Sequence, residues 1–163
     1  MDDHTETIEM DFDPTIISYE ELLQLFWKNH NPLRGQFYGG RQYMSLLLYH
    51  NGTQKELVEK TKREWERTLE GKIKTEIAPC EKFYRAEDYH QKYYLKRYGN
   101  AVEMLKRIFP TEADFTDATI TARLNGLVKG YVTLDDIKSE IGDWHLNDDQ
   151  ARDLIVLVNQ LSW

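Results

Sequence analysis

The spacing of apolar side chains switches repeatedly between two and about 3.6 residues up to residue 78, and from residue 100 onward it is helical throughout. Residues 4 to 12 alternate, with Thr5, Thr7, Glu9 and Asp11 on one side and Glu6, Ile8, Met10 and Phe12 on the other. That pattern predicts a half-buried strand with Glu6 on its inward face, ended by Asp13-Pro14. Ser18-Tyr19-Glu20-Glu21 is a capping box opening a helix to about Asn29, which buries Leu22, Leu23, Phe26 and Trp27 and stops at His30-Asn31-Pro32. Tyr43 to His50 predicts a buried strand, and Thr53 with Glu56 predicts a second capping box. The helix it opens, Gln54 to about Leu69, turns Leu57, Val58, Thr61, Trp65 and Leu69 inward and closes at Gly71. Lys72 to Ala78 alternates as a third strand.

The order strand, helix, strand, helix, strand implies an α+β layer with helices on one face of a sheet. Between the last strand and the tail lies Phe83-Tyr84-Arg85-Ala86-Glu87-Asp88-Tyr89-His90-Gln91-Lys92-Tyr93-Tyr94-Leu95, read as a helix with one ring-rich and one charged face. Four helices follow: Ala101 to Phe109, Asp114 to Val128, one capped by Thr133 and ended by Gly142, and one capped by Asn147. The last carries Ala151, Leu154, Ile155, Val158 and Leu161 on its buried stripe. The division is therefore an α+β domain over 1–97 and a helical C-terminal extension over 98–163, either a small domain or a clasp over the sheet.

At 163 residues this is one domain, or one with an appendage, and its formal net charge of -7 without a basic run argues against nucleic acid and anionic membranes as partners. No apolar run reaches membrane-spanning length, and the acidic start Met1-Asp2-Asp3-His4 is unlike a secretory leader. The single cysteine, Cys80, cannot form an internal disulfide, so a reducing, cytoplasmic setting is expected. The histidines are too scattered for a metal site, and Asp135-Asp136 and Asp148-Asp149 read as helix N-terminal carboxylates, so no metal is expected. The glycine-rich stretch from Leu33 to Arg41, with the rings of Phe37 and Tyr38, lacks the features of a phosphate cradle.

Several strings, in one order, resemble the peptide methionine-S-sulfoxide reductase (MsrA) family. FYRAEDYHQKYYL is similar to its C-terminal signature. His4-Thr5-Glu6 followed by Phe12-Asp13-Pro14 resembles its GHAE strand and YDP ending. Ser18 to Leu23 with Phe26 to Pro32 resembles SYEELL…FWxNHDP, and Gly40 to Ser45 resembles GTQYRS. The motifs span about residues 4 to 97, and the tail carries none of them.

The resemblance implies part of a ferredoxin-like plait, short of its first strand, first helix and second strand. It also implies a reaction: thiolate attack on a sulfoxide sulfur while a glutamate and two tyrosines hold and protonate the oxygen. Glu6 matches the acid and Tyr43 one tyrosine, while Tyr38 stands where the family usually has an aspartate. The family's nucleophile, the cysteine of a GCFW motif upstream of the GHAE strand, has no counterpart among these residues. Cys80 stands at a position without a family role and is read as an incidental thiol.

Two functional readings follow. In the first, the chain is inactive on its own and serves as a non-catalytic binding or interaction protein. In the second, it is a truncated form of an active peptide-methionine (S)-S-oxide reductase that repairs oxidised methionine. Either way no bound cofactor is expected, a thiol reductant such as thioredoxin would serve the family activity, and the implied partner is a methionine-sulfoxide-containing protein or peptide.

Overall fold

A computed structural model describes residues 5–35, 40–161 and 163, so the expectations placed on His4, Phe37 and Tyr38 lie outside the described residues. The chain divides into two compact units, Met1–Tyr84 and Arg85–Trp163, a division that falls ahead of residue 97.

The first unit holds helix α1 (Tyr19–Lys28), strand β1 (Leu46–Tyr49), helix α2 (Gly52–Thr68) and strand β2 (Glu76–Pro79). Ser18 caps α1 in a full capping box with Glu21, whose carboxylate returns to the Ser18 amide at 2.8 Å. β1 and β2 are parallel neighbours, in register Leu46 opposite Glu76 and Leu48 opposite Ala78, with α2 as the crossover that parallel pairing requires. Alternation along β1 sends Leu47 into a core of Leu23, Trp27, Val58 and Ile73, while Leu46 and Leu48 face the other way. Each such side chain, fully buried, contributes about 1.5–3 kcal/mol. Two tryptophans fix α1 against α2: Trp27 Nε1 donates to Thr61 Oγ1 at 3.0 Å, and Trp65 Nε1 donates to Gln24 Oε1 at 2.6 Å.

The mixture of helix with a small sheet is α+β, but four expected elements differ, the third strand among them: expected over Lys72 to Ala78, it is confined to Glu76–Pro79. Residues 5 to 12 form no strand: Ile8 is 84% exposed, and Glu6 faces solvent rather than a core. The reason is the lack of a ladder, since among the described residues this stretch has one main-chain bond, Glu6 N–H to Gln42 O at 2.9 Å. Tyr43 closes a 3-10 turn, Arg41–Tyr43, so the strand begins three residues later than its apolar pattern suggests. Helix α2 is capped by Asn51, whose side chain accepts from the Gln54 amide, and not by Thr53, which is already inside the helix.

The second unit is helical: α3 (Gly99–Lys106), α4 (Glu112–Asp117), α5 (Thr119–Val128), α6 (Leu134–Glu140) and α7 (Asp148–Gln160). Thr133 and Asn147 each complete a capping box, as their sequences imply. Leu95, Leu105, Phe115, Ile120, Leu124, Ile137, Ile141 and Val158 form its core, with Leu154 and Ile155 packed against it. The single helix expected over Asp114–Val128 is two, because Ala118 is extended (φ -66°, ψ 131°) and ends α4.

The ring-rich stretch is not a helix. Residues 88–94 form turns, with His90 N–H bonded to Glu87 O and Gln91 N–H to Asp88 O, three residues back rather than four. Lys92 sits in the left-handed region at φ 51°, and Asn125 Oδ1 accepts from the amides of both Tyr94 and Leu95. A side chain from α5 thus takes amides a helix would have used. Tyr84, Tyr89 and Tyr93 are exposed, so their rings do not form the core stripe that helical spacing implies.

Candidate functional site

The two residues that carry the sequence-based site, Glu6 and Tyr43, lie on chain segments that meet. Glu6 N–H donates to Gln42 O at 2.9 Å, and Gln42 Nε2 returns to Glu6 Oε1 at 2.7 Å. Thr5 Oγ1 adds a bond to Arg41 O at 3.1 Å. The Glu6 carboxylate is therefore held beside the Arg41–Tyr43 turn by its own backbone and by an amide donor. An amide donor steadies a carboxylate without neutralising it, and leaves lone pairs for a further proton or hydrogen bond. Tyr43, one residue on, is 52% exposed.

Beside this turn runs a relay that the sequence pattern did not reveal. His30, just past α1, places Nδ1 at 2.6 Å from Phe26 O and Nε2 at 2.9 Å from Ser45 Oγ. A carbonyl only accepts, so in the neutral ring Nδ1 carries the proton and Nε2 accepts from Ser45. Ser45 Oγ then accepts from Thr75 Oγ1 at 2.8 Å, and Ser45 O accepts from the Glu76 amide at 2.9 Å. The relay joins the end of α1, the start of β1 and the approach to β2, two residues from Tyr43. Its members stand 15 and 30 positions apart, beyond any local periodicity.

A cleft of about 180 Å³ opens beside the same segments, lined by Thr5, Thr7, Arg41, Leu46, Leu48, Lys82, Phe83 and Tyr84. It sits on the face of β1 opposite the core, with the Lys82 ammonium 4.4 Å from the centre of the Tyr84 ring and the Arg41 guanidinium 2.8 Å from Glu76. His90 belongs to the helical unit, where its ring lies against Tyr89 at 4.1 Å between centres. Cys80 is half-buried at the end of β2, with its amide bonded to Tyr49 O at 2.8 Å. Among the described residues no group of three or more His, Cys, Asp or Glu is placed to hold a metal ion, and no helix is long and apolar enough to cross a membrane.

Comparison with known proteins gives this geometry a context. The family model described as peptide methionine sulfoxide reductase matches residues 1–122. A peptide methionine sulfoxide reductase from Drosophila melanogaster is 40% identical over 149 residues, covering 86% of this chain and 56% of the relative. One from Sulfolobus acidocaldarius is 43% identical over 96 residues, covering 57% of this chain and 54% of the relative. Peptide methionine sulfoxide reductase A2 from Arabidopsis thaliana is 41% identical over 103 residues, covering 60% and 47%. The chain spans about half the length of the curated relatives it matches. Both the family model and the Drosophila match run past residue 97 into the helical tail, where the motifs of the sequence fall silent.

Proposed function

This chain belongs to the peptide methionine sulfoxide reductase family, and from that premise we propose that it is part of a peptide-methionine (S)-S-oxide reductase and carries that enzyme's substrate-oxygen site. The observation that carries the reading is the Glu6–Gln42 pairing, which sets the carboxylate of Glu6 beside the turn that bears Tyr43. The match over half of each relative favours the second of the two readings the sequence left open. The ferredoxin-like plait belongs to that same proposal, as the fold of the whole reductase, with 1–97 as its contribution and 98–163 as a helical extension.

In the proposed reaction a thiolate attacks the sulfoxide sulfur of an oxidised methionine. Glu6 delivers a proton to the sulfoxide oxygen and the Tyr43 hydroxyl donates a hydrogen bond to it, so the oxygen leaves with the attacking sulfur as a sulfenic acid and the thioether is released. External thiols, such as thioredoxin, then return the sulfenic acid to thiol. The reaction needs no metal, the partner is a protein or peptide containing methionine sulfoxide, and the setting is cytoplasmic.

Titrating N-acetyl methionine-S-sulfoxide amide into the isotopically labelled chain tests the site. The amides of Glu6, Gln42 and Tyr43 shift under the proposal, and Glu6→Gln or Tyr43→Phe weakens the response severalfold. Shifts confined to other residues, or unchanged in both variants, contradict it.

A further inference from the structure

The Lys92 ammonium is half-buried, yet among the described residues it makes no hydrogen bond and no ion pair. A desolvated ammonium without an acceptor is costly, and burial pushes its pKa below the ordinary lysine value. Asp117 opposes that shift, while the Arg85 and Lys96 charges add to it. The Asp117 carboxylate is already engaged, its Oδ1 2.9 Å from Arg85 Nη2. Lys96 is spent on Asp88 O at 2.6 Å and on Glu112 at 2.9 Å, with its ammonium 5.5 Å from the centre of the Phe115 ring in α4. Lys106 shares the same Glu112 carboxylate, and Glu87 pairs with His90 at 3.9 Å. Lys92 is thus left beside two cations and one engaged anion, in a chain whose formal net charge is -7.

The backbone keeps the ammonium in this place. Lys92 sits in the left-handed region at φ 51°, which lysine adopts only where its surroundings enforce it. They do so here: Lys96 N–H bonds to Lys92 O at 3.0 Å, and Asn125 Oδ1 fixes the amides of Tyr94 and Leu95. All of these residues lie in the helical unit. Enclosure in a larger protein would deepen the burial of the ammonium, so its need for an anion does not come from a surface left bare.

We propose that Arg85 and Lys92 form an oxyanion-binding site in the helical unit, which takes a phosphate group as free inorganic phosphate or as a small phosphate monoester. Lys92 supplies an ammonium whose donors are all unspent. Arg85 holds Asp117 through Nη2, and the other donors of its fork are free to reach phosphate oxygens. Lys96, one turn from Lys92, adds its field without giving up its own bonds. Charge selects the ligand: three cations against the single carboxylate of Asp117 leave a surplus that a phosphate dianion balances and a carboxylate or chloride does not. The bound anion accepts from Lys92 and so removes the cost of its buried, unpaired charge. This site is separate from the proposed reductase chemistry and draws on neither Glu6 nor Tyr43.

The test titrates the isotopically labelled full chain with sodium phosphate near neutral pH, with sodium chloride holding the ionic strength constant. Saturable shifts are expected at the amides of Lys92, Tyr93 and Asp117 and at the Arg85 guanidinium N–H. A parallel titration with glycerol phosphate separates the two sources: tighter binding than inorganic phosphate assigns the site to a monoester, and weaker binding assigns it to the free anion. Lys92→Asn removes the charge and keeps a residue that tolerates the left-handed backbone, and it should weaken the affinity about tenfold. Arg85→Gln, at a surface side chain, should do the same in a chain that stays folded. Shifts that track ionic strength in chloride alone as closely as in phosphate would overturn the site. So would a phosphate affinity unchanged in Arg85→Gln and Lys92→Asn.

Discussion

Trp27 shows how one buried polar atom decides the specificity of the α+β unit. Its ring is 1% exposed, and its indole N–H meets Thr61 Oγ1, itself fully buried and donating in turn to Val58 O. Thr61→Val keeps the shape but leaves the indole donor without an acceptor, so it should cost about 1–3 kcal/mol in urea unfolding. Gln24→Ala, which removes the acceptor of the less buried Trp65, leaves water access to the donor and should cost less, about 0.5–1 kcal/mol. Equal losses for the two would mean that burial does not set the penalty. The inward positions of Trp27 and Thr61 were legible from helical spacing, but their bond across 34 residues was not. The same holds at the site: Glu6 and Tyr43 could be named from their motifs, whereas the Gln42 bridge and the His30–Ser45–Thr75 relay join residues no local pattern connects.

At the scale of elements, caps were the most legible signal and also show where legibility stops. Ser18, Thr133 and Asn147 cap as their sequences imply, because a short polar side chain just before the first helical residue can accept from the amide three residues on. For α2 the sequence pattern pointed to Thr53 with Glu56, and Asn51 takes the helix start instead. Asn51→Ala should therefore cost about 1 kcal/mol in chemical denaturation, and Thr53→Ala less than about 0.5 kcal/mol. The reverse order would contradict the observed cap. The ring-rich stretch failed as a helix for a tertiary reason: Asn125 captures the amides of Tyr94 and Leu95, and Lys92 adopts a left-handed turn. Likewise the alternation of residues 5 to 12 marks a segment that is extended but, without partners to complete a ladder, not a strand.

For the molecule as a whole, three depressed carboxyls link folding to acid pH. The Lys106 and Lys96 ammoniums bonded to Glu112 hold its carboxyl below the ordinary range, and the Thr133 hydroxyl and amide do the same for Asp136. Ser18 lowers Glu21 in the α+β unit. A carboxyl depressed in the folded state adds stability that is complete above the unfolded value, about 4.3 for glutamate, and is lost as pH falls through the lower folded value. Unfolding followed by circular dichroism should therefore show stability falling from about pH 4 downward, with a shallower fall in Glu112→Gln. An acid dependence as steep in that variant as in the parent would place the linkage elsewhere. Fold class was readable at this scale because periodicity reports layers, while the extent of the sheet was not, since pairing depends on which segments meet.

Under the proposed function Glu6 and Tyr43 form the substrate-oxygen site of a reductase, which kinetics in a complete enzyme can decide. Residues 5–97 of this chain, grafted in place of the matching stretch of the Drosophila relative, should turn over a methionine-S-sulfoxide peptide with dithiothreitol. Glu6→Gln in that chimera should lower kcat by about 10²–10⁴, as loss of a general acid does, and Tyr43→Phe by a smaller factor. A chimera that stays fully active with Glu6→Gln would contradict the account.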